Sequence, residues 1–141
     1  MAENIAATMI PTDSGRELLQ EIFGGGGSKA SIDFIEGTLT ALTAKDLEGL
    51  EFIREGAFYG LETLETIEFP DTVEEIDMYA FSGLYNIVSI TFTSKNPPRA
   101  NSDAFADFST ECIIYVPNES LDDYRNAENW GSVYGQIQPI N

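Results

Sequence analysis

The pair Ala57-Phe58 returns as Ala80-Phe81 and again as Ala104-Phe105, 23 and then 24 residues further on. Its neighbours return with it: Ile53 as Ile76, Gly60 as Gly83, Leu61 as Leu84, Leu64 as Ile87, Ile67 as Ile90 and Phe69 as Phe92. In a last unit Ile114 and Val116 take the places of Ile67 and Phe69, and Pro117 stands where Pro70 stood. A unit of about 23 residues is too small to bury its own apolar face, so successive units must stack on one another and share a continuous core. This repeat excludes most folds open to a chain of 141 residues.

The spacing inside each unit predicts which side chains face the stack. Leu64, Ile67 and Phe69 point inward from a short strand, and Pro70 closes that strand because it has no N–H to give to a ladder. Val73 and Ile76 form a second inward pair, while Ala57 and Phe58 turn the corner with a small residue and a filling ring. The repeated aromatics are therefore core packing and not a cofactor site. Alternate strand positions must face outward. They are Glu65, Thr66 and Glu68, then Val88, Ser89 and Thr91, then Cys112, Ile113 and Tyr115. Stacked by period, Thr66, Ser89 and Ile113 form one column, and Glu68, Thr91 and Tyr115 another. The candidate binding face is Glu65, Thr66, Glu68, Val88, Ser89, Thr91, Ile113 and Tyr115, grading from acidic through polar to aromatic. It suits a partner strip with one basic and one apolar end.

The run Ile-x-x-x-Ala-Phe-x-Gly-Leu-x-x-Leu-x-x-Ile-x-Phe-Pro-x-x-Val-x-x-Ile, from Ile53 to Ile76, resembles the BspA-type leucine-rich repeat. Asn96-Pro97-Pro98, Ala104-Phe105, Ile114-Tyr115-Val116-Pro117, Tyr124, Ala127, Trp130, Ile137 and Ile140 resemble the C-terminal cap of such arrays. The resemblance spans about residues 50–141. It implies a binding scaffold and not a catalyst, of the kind found in surface adhesins of bacteria and mucosal parasites and in virion proteins of phages that infect gut bacteria. It carries over no ligand residue. The expected fold is mainly β with short helices and turns, a leucine-rich-repeat solenoid of period 23–24 preceded by an N-terminal helical arm.

Residues 1–29 read as that arm. Thr12, Asp13 and Ser14 offer helix-capping oxygens, and Glu17 sits in the first turn, where the helix dipole favours an acid. Leu18, Leu19, Ile22 and Phe23 share one face and are the candidate docking or oligomerisation residues, with a trimer favoured. Gly24 to Gly27 make a hinge; with Ser28-Lys29 they lack the order of a phosphate-binding loop. Residues 30–141 are the expected solenoid, with its cap at about 97–141. Its first stretch, 30–50, reads as an irregular unit whose Ile32, Phe34, Leu39 and Leu42 suggest two short strands.

Charge and missing chemistry narrow the function. Twenty-four Asp and Glu stand against 7 Lys and Arg, a net charge of −17. Eleven of those acids fall between Lys45 and Asp77, against two basic residues. Such a surface repels phosphate backbones and anionic headgroups, so nucleic acid is not an expected partner. There is no His and one Cys, so neither an internal disulfide nor a His-based nucleophile or metal site is available. No Asp-x-Asp-x-Asp-Gly spacing localises calcium, and no apolar run reaches the roughly 20 residues of a membrane span. Neither an enzyme nor a cofactor is expected. The apolar run Ile5–Ile10 is short, stops at Pro11 and precedes the first basic residue, Arg16, so no secretion signal is read. Taken with the resemblance, which implies a binding scaffold of adhesins or phage virions, these features and the glycine hinge favour a phage virion accessory protein, made in the host cytoplasm. Its expected partners are other virion or cell-surface proteins and a host surface glycan or protein. The alternative is a secreted or surface bacterial adhesin fragment with its leader removed.

Overall fold

The computed structural model describes residues 38–59 and 61–140. The arm of residues 1–29, with its helix, its hinge and Leu18, Leu19, Ile22 and Phe23, lies outside the described residues, as do Ile32 and Phe34.

The chain winds in coils against two parallel sheets; the first three coils place one strand in each, and two later strands extend the larger sheet alone. The larger sheet holds β1 (Ala41–Leu42), β3 (Thr66–Phe69), β5 (Ser89–Phe92), β7 (Ile113–Val116) and β8 (Ile137–Pro139), side by side in that order. The smaller holds β2 (Phe52–Ile53), β4 (Glu75–Ile76) and β6 (Arg99–Ala100). The sequence period becomes the sheet register. Ile67 pairs with Ile90 and Ile90 with Ile114, while Phe69 pairs with Phe92. The four-residue strands β3, β5 and β7 alternate exposed or half-buried with buried residues, as one wetted face demands.

Identical residues at identical register produce stacks. Phe58, Phe81 and Phe105 follow one another with ring centroids 6.0 and 5.7 Å apart. Phe69 and Phe92 stack at 5.2 Å. Both columns end on Trp130, which lies 5.0 Å from Phe105 and 5.3 Å from Phe92. Polar links follow the same period: the hydroxyls of Thr63, Thr72 and Thr93 donate to the carbonyls of Leu39, Leu50 and Phe69 one coil earlier.

The unit read as irregular is a coil in register. Ala41 and Leu42 pair with Thr66 and Ile67, and Phe52 and Ile53 with Glu75 and Ile76. Two additional residues between β1 and β2 hide its period in the sequence. The loop they lengthen is closed by Thr43 and Asp46, whose side chains bond reciprocally to each other's backbone N–H. Leu47 and Leu50 are buried beneath it.

The open end is closed by the C-terminal segment. A 3-10 turn (Asn118–Ser120), helix α1 (Leu121–Arg125), a second 3-10 helix (Gly131–Gln136) and β8 lie across the last coil. A last coil has no successor to pair its carbonyls, and unpaired buried carbonyls are costly. Side chains supply the donors here. Tyr124 Oη donates to Ser94 O at 2.6 Å, Ser120 Oγ to Lys95 O at 2.8 Å and Trp130 Nε1 to Pro98 O at 3.0 Å. Asn129 Nδ2 donates to Ala100 O, and Gln136 Nε2 to both Ser109 O and Cys112 O.

Candidate ladder face

The larger sheet brings the outward strand positions together as the period requires. Ala41, Thr66, Ser89 and Ile113 are successive partners across β1, β3, β5 and β7. Glu68, Thr91, Tyr115 and Gln138 form the parallel column across β3, β5, β7 and β8. Glu65, Thr66, Glu68, Val88 and Ile113 are exposed, Val88 at 59% and Ile113 at 37%. Ser89, Thr91 and Tyr115 are half-buried between their neighbours, so they present edges of side chains and not whole ones.

The face is wider than the candidate set. Ala41 extends the first column and Gln138 the second. A signal for Gln138 existed, since Ile137 stands one period beyond Ile114 and its neighbour must then face outward. Ala41 was hidden by the lengthened loop. Glu68 also works within the fold: its carboxylate accepts from Ala44 N at 3.2 Å, fixing the loop after β1. Glu65 and Glu68 thus mark an acidic end, and Val88, Ile113 and Tyr115 an apolar one.

Cys112 is a correction. Expected to face outward, it is only 1% exposed. Like Glu65 and Val88 it stands one residue before its strand, where alternation fixes no facing, and unlike them it joins the buried core that also holds Leu64 and Ile87. Burial pushes its thiol up to about 12, against a partial lowering by a backbone hydrogen bond at Ile90. Cys112 is therefore a core residue, not a reactive one.

Two basic side chains, Arg99 in β6 and Arg54 just after β2, lie at the other sheet, and Lys95 pairs with Glu119 of the cap. Arg99 pairs with Glu75 across β6 and β4, and the Arg54 guanidinium lies 4.7 Å from the Phe52 ring centre. No ladder position named above carries a Lys or Arg, so nothing on those columns neutralises Glu65 and Glu68. Among the described residues no group of three or more His, Cys, Asp or Glu is placed to hold a metal ion, and no helix is long and apolar enough to cross a membrane.

Comparison with curated proteins finds no match for the chain. A family model described as a BspA type leucine rich repeat region (6 copies) matches residues 33–126. That match starts well before residue 50, in agreement with the strand pairing of the first coil, and covers about two thirds of the chain. The chain belongs to the BspA-type leucine-rich repeat family.

Proposed function

We propose that the protein is a non-catalytic recognition module that binds another protein across its ladder face. The observation that carries this reading is the register of that face. Its outward columns cross the larger sheet without a break, and they run from Glu65 and Glu68 to Ile113 and Tyr115. Leucine-rich repeats support binding or adhesion, and arrays of this family are typically non-enzymatic. A face of so few coils makes a modest single contact, so useful strength comes from many copies presented together.

The finer form of the proposal is a phage virion accessory protein, a decoration of capsid or tail. In it residues 1–29 mount the solenoid on the particle as a trimer, and the ladder meets a host surface protein or glycan. The acidic excess and the glycine run before the solenoid support it. Mass spectrometry of density-purified particles tests it: the chain should co-sediment with capsid and tail proteins at a fixed copy ratio. Its recovery instead from the bacterial surface or medium, independent of particles, would replace it with the adhesin reading and leave the recognition role standing.

A further inference from the structure

A concave feature that shares no lining residue with the ladder lies where the corner of the last coil meets the 3-10 helix Gly131–Gln136. A groove of about 490 Å³ opens there, lined in part by Tyr85, Asp107, Phe108, Thr110, Ser132 and Gln136. That volume suits a small ligand of about two rings. Tyr85 is 70% exposed, the most exposed large apolar side chain among the described residues. It is also the groove's one free aromatic platform, because Phe108 already packs against Phe81 and Phe105, each centroid 5.8 Å away. One platform holds one flat apolar face; it is not a cage closing around a cation.

The polar groups are fixed as acceptors. Asp107 holds a left-handed backbone at φ 59°, which Asp tolerates better than most residues, and one carboxylate oxygen accepts from the Ser82 hydroxyl at 3.2 Å. Its other oxygen remains for a ligand. Gln136 spends its amide hydrogens on the carbonyls of Ser109 and Cys112, leaving Oε1 as an acceptor. Thr110 and Ser132 add hydroxyls. No Lys or Arg lines the groove, and the chain carries a net charge of −17, so an anionic ligand is disfavoured. The matching ligand has one apolar C–H face, several hydroxyl donors and no charge. We propose that this groove binds a neutral oligosaccharide, with a sugar ring on Tyr85 and its hydroxyls donating to Asp107 and Gln136. This site is separate from the ladder and does not depend on the role proposed for it.

The test is calorimetric or NMR titration of the full chain with neutral gluco-, galacto- and manno-configured di- to tetrasaccharides, beside a sialylated trisaccharide and choline. Saturable binding of a neutral member is expected. Tyr85→Ala should weaken it about tenfold or more, the range of a lost aromatic anchor. Asp107→Asn, which keeps the left-handed backbone, should weaken it by about fivefold. Both positions are exposed, so both variants should retain the fold, checked by the fluorescence of Trp130. Any of three results would overturn the proposal: no saturable neutral binder at millimolar concentration, affinity unchanged in Tyr85→Ala, or preference for choline or the sialylated sugar.

Discussion

Phe81 shows how much a single position carries in a stacked fold. Its ring lies between Phe58 and Phe105 and also meets Phe69 and Phe108. Removing it opens a cavity shared by three coils, so Phe81→Ala should cost about 3–5 kcal/mol in urea unfolding. Tyr79 points the other way. It holds φ 56° at the place where the preceding coil has Gly56 at φ 63°. A side chain in that conformation is strained, so Tyr79→Gly should raise stability by about 1 kcal/mol. Cys112 makes a pH prediction. Its ordinary value of 9.0 is raised by burial to about 12, and burial also raises Tyr124. At neutral pH both states keep the thiol proton. As pH climbs through the unfolded value the unfolded chain releases it first, so stability falls with rising pH until the folded value is reached. The wild type should lose about 1 kcal/mol by about pH 10, and Cys112→Ala should flatten that slope. An equally steep slope in the variant would contradict the assignment.

At the scale of elements, short strands hold because β3, β4, β5 and β7 are paired on both sides and because side chains replace missing backbone partners at the capped end. The cap depends on this most. Tyr124→Phe keeps the ring against Trp130 but removes the 2.6 Å bond to Ser94 O, and should cost about 1–2 kcal/mol by thermal or urea melting. Strands, corners and cap residues were legible because Ala57, Phe58, Leu64, Ile67 and Phe69 recur at one period. Tyr124 and Trp130 were legible as cap residues, but the carbonyls they satisfy were not, since hydrogen bonds across about 30 residues leave no local pattern. The first coil was read as an irregular unit of the solenoid, and its register was missed because a lengthened loop broke the spacing while preserving the pairing. Cys112 was misplaced because it was given the outward place of Glu65 and Val88 by period, and all three stand one residue before their strands, where alternation fixes no facing.

For the whole molecule, sequence period, sheet register and surface columns are one fact seen three times, and the surface is where function resides. The outward residues of the ladder were nearly all placed correctly by period. The groove beside Tyr85 was not, because it joins the last coil to a 3-10 helix more than 20 residues away and no repeat predicts that meeting. The most direct test of the recognition role blocks the ladder without disturbing the core. Thr66 and Ile113 are both exposed and flank Ser89 in one column, so Thr66→Arg/Ile113→Arg should fold normally. Binding of the full chain to a panel of intact gut-bacterial cells and mucosal matrix proteins should then be measured for wild type, this variant and Tyr85→Ala. The recognition role requires a saturable protein binder whose affinity falls about tenfold or more in the double variant and holds in Tyr85→Ala. Undiminished binding by the double variant, or no saturable binder on the panel, would contradict it.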